Sequence, residues 1–180
     1  MNAIQYWAMK VRYRLAGRKK EIVSDYFRKM GMTIGKGCNI CDNITTTQAY
    51  LITLGDNVTL AGGVLFVGHD NSVSKMIPNT TDLFGRITIG DNCFVGNRAI
   101  IMYGVTLAPN IVVAAGSVVT RSFDTPGIII GGNPARQIGT WEDFIERNKE
   151  KAFNLDEIPA SEQQAAIEHS PKLVERPPKR

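Results

Sequence analysis

Through the middle of the chain the aliphatic positions recur every six residues. They fall at Ile89, Val95, Ile101, Leu107, Val113 and Val119, each usually followed by a small residue. The same unit reads LGDNVT, LAGGVL and FVGHDN from Leu54, Leu60 and Phe66, and IGKGCN and ICDNIT from Ile34 and Ile40, giving about eleven units in three phased blocks. A period of six fits neither the period of about 3.6 of a helix nor the simple alternation of a long strand. It predicts a short strand and a turn, repeated. Three units then close a triangular coil of about 18 residues, and successive coils stack as parallel strands about 4.8 Å apart. The first residue of each unit points into the prism, and the small second residue relieves crowding near the corner. The fifth position also faces inward and holds Cys38, Ile44, Val58, Val64, Cys93, Ala99, Val105, Ile111 and Ser117.

Both ends read differently. Residues 3–30 set Ile4, Trp7, Met9, Val11, Leu15, Ile22, Tyr26 and Phe27 among Lys10, Arg12, Arg14, Arg18, Lys19 and Lys20. This predicts one or two short amphipathic helices, broken near Gly17, that cap the open end of the prism. A basic amphipathic helix is also compatible with weak contact on an anionic membrane surface. Thr140 before Trp141-Glu142-Asp143 is an N-cap signal for a helix to about Phe153. A short helix is expected beyond Pro159, and the Pro-rich, charged stretch 170–180 is expected to be disordered. The resulting division is a helical cap over 1–31, a solenoid over 32–139, and a C-terminal helix and tail over 140–180.

Composition sharpens this. None of the eight glutamates lies between Met32 and Thr140, whereas fifteen of the seventeen glycines do. Glutamate lines the wet faces of ordinary helices, so the interval is strand and turn. The formal charge of +4 is equally uneven, because residues 1–30 carry eight Lys/Arg against Glu21 and Asp25. That basic run lacks a nucleic-acid reader module, so no nucleic-acid partner is expected. No apolar run reaches the length of about 20 residues that spans a bilayer, and no secretory signal is evident, so a cytoplasmic chain is expected, peripheral at most to the inner face of the membrane. Three cysteines argue against a disulfide scaffold. Cys38-x-x-Cys41 has zinc-ligand spacing but lacks two further ligands, and the repeat places Cys38 and Cys93 in interior slots and Cys41 in the small second slot. No metal site is expected.

The repeat, the stretch IGDNCFVGNRAIIMYGVTLAPNIVVAAGSVVTRSF and the following GGNPARQI resemble the hexapeptide-repeat acyltransferases over residues 32–139, most closely their galactoside, maltose, xenobiotic and polysaccharide O-acetyltransferase branch. The resemblance implies a mainly β fold, a left-handed parallel β-helix of hexapeptide repeats with helical N- and C-terminal segments. It also implies acetyl-CoA as acyl donor and a homotrimer with sites between subunits. The unit from Phe66 predicts the next unit at residue 72, yet the strict pattern resumes at Ile89. The inserted residues 72–88 correspond to an arm that in the family reaches over an adjacent subunit and helps wall the active site.

His69 lies just before this insertion, where the family has its catalytic histidine, and the other histidine, His169, falls in the polar tail. Acyl transfer to a hydroxyl needs a base that titrates near neutral, the role of an imidazole. Asp70 is a candidate acceptor-site residue. Neighbours along a strand point to opposite faces, so a backbone carbonyl is an alternative to Asp70 as the group that orients His69. No activated Ser or Cys nucleophile is evident, which favours direct transfer over an acyl-enzyme. By resemblance the coenzyme meets Phe94, Asn97, Ala115, Gly116, Thr120, Arg121 and Arg136. Glycine at 116 permits close approach, and Arg121 offers a fork for phosphate. The implied acceptor is a sugar hydroxyl, such as one on a surface-polysaccharide precursor. Alternatives are N-acetylation of an amino sugar, O-acetylation of serine or an antibiotic, and a non-catalytic β-helix scaffold of the γ-carbonic anhydrase type.

Overall fold

The computed structural model describes residues 3–44, 46–174 and 176. The chain divides into two compact units, Met1–Gly139 and Thr140–Arg180. The first is a left-handed β-helix with three parallel faces. One face stacks Thr33–Ile34, Ile52–Leu54, Ile87–Ile89 and Thr106–Leu107. The second stacks Asn39–Ile40, Thr59–Leu60, Phe94–Val95, Val112–Val113 and Ile128–Gly132, with Ala135–Thr140 at its far edge. The third stacks Leu65–Val67, Ile100–Met102 and Val118–Val119.

The six-residue period explains the interior. Every unit-opening residue from Ile34 to Val119 is buried, and so are the fifth-position residues from Cys38 to Ser117, except Asp70. Burying aliphatic side chains of this size stabilises the fold by about 1.5–3 kcal/mol each. After the first and second faces small second residues are required, because adjacent coils nearly touch there, whereas the third face carries Val67, Met102 and Thr120 at this position. A Cβ at Gly90 would lie 2.6 Å from the Pro109 nitrogen, and one at Gly96 would lie 2.6 Å from the Ala115 nitrogen, both backbone atoms of the next coil.

Where the repeat is strict, one coil takes 18 residues, as in the pairing of Thr88 with Thr106 and of Ile100 with Val118. Two departures occur. Thr33 pairs with Thr53, a coil two residues longer, and Thr53 pairs with Thr88, a coil seventeen residues longer. The first excess forms a 3-10 turn at Ala49–Leu51. The second is a folded hairpin: His69–Asp70 leaves the coil, a 3-10 turn follows at Ser72–Lys75, and Leu83–Phe84 returns antiparallel to His69–Asp70. Val73, in the 3-10 turn of this arm, is buried.

Two helices, α1 (Ala3–Leu15) and α2 (Glu21–Lys29), precede the first coil and are separated by Gly17 and Arg18 in left-handed conformations. Val23 and Phe27 of α2 join the core. The first coil has no neighbour beneath it, so some of its carbonyls need another partner. Arg28 supplies one, its Nε donating to the Ile34 carbonyl at 2.9 Å and its Nη2 to the Gly35 carbonyl at 2.6 Å.

In the second unit, the Thr140 hydroxyl accepts from the Asp143 N–H at 3.2 Å and starts α3 (Trp141–Asn148). The helix stops short of the expected Phe153. Arg147 and Asn148 donate to the Asp143 and Phe144 carbonyls, and the chain passes into a 3-10 turn at Lys149–Lys151. Such local side-chain bonds compete with helix continuation. The short helix α4 spans Gln163–Glu168. Part of the tail expected to be disordered, residues 175 and 177–180, lies outside the described residues.

Candidate active site and coenzyme groove

The three corners of the prism are built for different purposes. At the corner between the first and second faces, Asn57, Asn92 and Asn110 sit one above another at φ of 55°, 56° and 61°. Asparagine tolerates this left-handed conformation better than most residues. Asn57 Nδ2 donates to Asn92 Oδ1 at 2.7 Å, and Asn92 Nδ2 donates to Asn110 Oδ1 at 2.8 Å. This ladder satisfies itself and offers little to a ligand.

The corner between the second and third faces is an open groove of about 840 Å³ lined by Asp42, Gly62, Gly63, Asn97, Arg98, Ala115 and Gly116. Three residues expected to meet the coenzyme, Asn97, Ala115 and Gly116, are brought together here. Asn97 Oδ1 accepts from the Gly62 N–H at 2.8 Å, which leaves its NH₂ for a ligand. Gly116 has φ of 69°, and a Cβ there would meet nothing within 4 Å, so its backbone is open to close approach. Among the described residues, none bonds the backbone N–H or C=O of Ala115. An amide-rich ligand arm suits such an edge. Phe94 is exposed on the strand that leads into this corner. Sequence reasoning missed Arg98, which adds a cation to the groove from a left-handed backbone at φ of 57°. Its signal was the charged residue of Gly96-Asn97-Arg98 at a corner that elsewhere reads Gly62-Gly63 or Ala115-Gly116.

The remaining corner carries His69. Register places Gly68, Tyr103 and Arg121 in one column, with Thr120 on the strand end beside Arg121. Thr120 and Arg121 therefore share the His69 corner and not the groove. The Arg121 guanidinium lies over the Phe123 ring at 5.2 Å. Arg136 stands on the last strand of the second face, its Nη1 donating to the Ala135 carbonyl at 3.0 Å.

His69 lines a cavity of about 300 Å³ with Thr46, Thr47, Gln48, Leu65, Phe66, Val67 and Gly68. Its ring stacks on Phe84 of the arm, centroids 6.0 Å apart at 29°. His69 Nδ1 lies 2.9 Å from Gln48 Oε1. Nδ1–H donates to that amide oxygen, which fixes the tautomer and leaves the lone pair on Nε2. Gln48 thus occupies the orienting role for which Asp70 and a backbone carbonyl were the expected candidates. It comes from the two-residue excess before Ala49, and the break in phase between the units at Ile40 and Leu54 was its signal.

Asp70 is engaged elsewhere. Its Oδ1 accepts from the Ser72 N–H at 2.9 Å and its Oδ2 from the Tyr103 hydroxyl at 3.3 Å. Bonds from Ser72, then Tyr103 and the nearby His69, hold this carboxyl below its ordinary range. Desolvation, with Asp70 beside it, raises the Tyr103 phenol. Asp70 therefore clasps the arm's root to the next coil. Burial pushes the Cys38 and Cys93 thiols up, so neither supplies a ready thiolate. Among the described residues no three His, Cys, Asp or Glu side chains gather as a metal cluster.

Comparison with known proteins agrees with this architecture. A family profile described as the hexapeptide repeat of succinyl-transferase matches residues 86–121. Protein CapG of Staphylococcus aureus is 41% identical over 141 residues, covering 74% of this chain and 80% of its own. Galactoside O-acetyltransferase of Escherichia coli is 30% identical over 129 residues, covering 71% of this chain and 62% of its own. A solved structure of a galactoside acetyltransferase in complex with coenzyme A superposes with a TM-score of 0.56 at 26% identity, over 70% of this chain and 73% of that one. The repeating coils thus agree with these likenesses, and the chain belongs to the hexapeptide-repeat acetyltransferase family.

Proposed function

We propose that the protein transfers an acetyl group from acetyl-CoA to a hydroxyl of a sugar, with His69 as general base. The observation that carries this reading is the His69–Gln48 pair at the mouth of a cavity walled by Thr46 and Thr47. The cavity pairs hydroxyl and amide groups with apolar Leu65 and Val67, a lining that suits a neutral polyhydroxylated acceptor. His69 Nε2 takes the proton of the attacking hydroxyl as its oxygen adds to the thioester carbonyl. The imidazolium then returns that proton to the departing thiolate. Both buried cysteines are spoken for, their Sγ atoms donating to the Gly55 and Ala108 carbonyls, which supports direct transfer. An acceptor on a surface-polysaccharide precursor is the finer form of this reading.

The donor site completes itself only between copies of the chain. The groove at Asn97, Ala115 and Gly116 and the Thr120–Arg121 pair beside His69 lie on different corners, separated by a face roughly 20 Å long. One extended coenzyme reaches both sets if the groove corner of one copy meets the His69 corner of the next. Contact between unlike surfaces closes as a ring when the rotation between copies divides a full turn, and the family resemblance sets that ring at three. Arg98, Arg121 and Arg136 are the cations available for its phosphates.

Thiol release from acetyl-CoA in the presence of neutral sugars, amino sugars, serine and hydroxylated antibiotics tests the acceptor class. Turnover with neutral sugars alone is the expected result. Amino-sugar turnover with amide product overturns O-transfer, and no turnover with any acceptor favours a scaffold. Mixing His69→Ala with Ala115→Glu chains tests the shared site. Each is inactive alone, and a refolded equal mixture regains about a quarter of wild-type activity if the groove and the base come from different copies. No recovery places both on one chain.

A further inference from the structure

Helix α1 has two apolar faces, and one of them packs on the core. Met9 is buried, and Tyr6 and Tyr13 pack against the core cluster. On the opposite side, Trp7, Val11 and Leu15 follow the four-residue spacing of a single stripe about 80° wide. Trp7 is 69% exposed and Leu15 is 84% exposed. Arg14 borders the stripe on one side and Arg12 on the other, and Arg18, Lys19 and Lys20 continue the exposed basic surface beyond the helix.

The charge around the stripe is uncompensated. Residues 1–30 contain two acids, Glu21 and Asp25, and both are paired with Arg28. Lys10 stands over the Tyr6 and Tyr13 rings at 5.7 and 5.8 Å. Arg12, Arg14, Arg18, Lys19 and Lys20 make no ion pair among the described residues. A second copy of the same basic face would be repelled, whereas an anionic surface is attracted. A tryptophan and aliphatic side chains in one stripe, edged by arginines, are the groups that enter the boundary between headgroups and acyl chains. No helix among the described residues is long and apolar enough to cross a membrane, so the contact is along the surface.

We propose that α1 lies in the plane of an anionic lipid surface, with Trp7, Val11 and Leu15 inserted at the acyl boundary and Arg12, Arg14, Arg18, Lys19 and Lys20 on the headgroups. The inference is independent of the acetyl-transfer reading. The chain has two tryptophans, Trp7 and Trp141, so in a Trp141→Phe background Trp7 is the sole indole reporter. The experiment is flotation and fluorescence with phosphatidylcholine vesicles, pure or with about a third phosphatidylglycerol. Expected are flotation and a blue shift of Trp7 emission with the anionic vesicles only, both reversed by about 0.5 M salt. A Trp7→Ser/Leu15→Ser variant should float at least about tenfold less at unchanged thermal stability and unchanged transfer to soluble acceptors. Absence of flotation overturns the proposal, as does equal flotation by the double variant. Trp7 emission already blue-shifted without lipid, together with a smaller assembly for the double variant, assigns the face to a second copy and also overturns it.

Discussion

The asparagine corner and the histidine corner belong to the same coils but were built under opposite constraints. At the asparagine corner every coil turns in the same way, and Asn57, Asn92 and Asn110 bond one another up the column. Its polar groups are consumed by stacking. At the histidine corner the period fails in the coil containing His69, which has an excess of seventeen residues after it, and the coil before has an excess of two. Those excess residues bring Gln48, Ser72 and Phe84 to His69 and Asp70. Regular coils give the self-satisfied asparagine corner and the open groove, whereas the candidate base stands where the pattern is broken and the released groups find new partners.

The largest effect expected from breaking this contrast is on turnover. His69→Ala removes the base and should lower kcat by about 10²–10⁴-fold, with thermal unfolding nearly unchanged. A variant retaining more than about a tenth of wild-type turnover by thiol release would remove His69 from the role of base. The mirror-image change is Asn92→Ala. It breaks two ladder bonds and forces alanine into a left-handed backbone, at a cost of about 2 kcal/mol, while turnover per folded molecule stays the same. Asn92→Gly should recover part of the loss, because glycine has no Cβ to strain. Denaturant unfolding of the three proteins checks the order, and equal stability of the alanine and glycine variants would show that backbone strain contributes nothing.

How much of this was readable follows from the same division. Interior positions such as Ile89, Val95 and Ile101 repeat at fixed spacing, so their burial follows from periodicity alone, and Cys38 and Cys93 fall in place as interior residues. His69 stands out in the sequence because it adjoins the long interruption, where by resemblance the family has its histidine. Gln48 was not, because its partner is twenty-one residues away and the two-residue slip that brings it there is small beside the arm. The asparagine ladder went unread for the converse reason: asparagine in a turn explains itself locally, and its link to the next coil appears only when coils are stacked. Thr120 and Arg121 join Ala115 and Gly116 as expected coenzyme residues through the family resemblance, which does not tell that the two pairs stand at different corners of one chain. A three-faced helix carries them to the next corner within four residues.

The Gln48 contact gives a sharper test of the histidine corner than deletion of the base. Gln48→Leu removes the acceptor for Nδ1–H, and turnover should fall about tenfold because both tautomers become available. Gln48→Glu keeps an acceptor in place and adds a charge that favours the imidazolium. Its turnover at high pH should stay near wild type, while the acid limb of the rate profile moves to higher pH. A purely structural glutamine would give two variants that lose stability together and leave the limb where it was.

The smallest effect expected is at Asp70, which clasps the arm to the coil through Ser72 and Tyr103. Its carboxyl is held below the ordinary range, chiefly by Ser72. A depressed folded value means that the clasp is complete above the ordinary carboxyl value of about 3.9 and is lost as pH falls through the folded value. Amide exchange over residues 72–84 should therefore quicken as pH falls below about 4 relative to the asparagine corner, after correction for intrinsic exchange. Asp70→Asn leaves an acceptor for the Ser72 N–H but removes the titration, so its arm should exchange somewhat faster than wild type at neutral pH and show no added acid response. An arm that opens in acid equally in both proteins would place the sensitive group elsewhere in the hairpin.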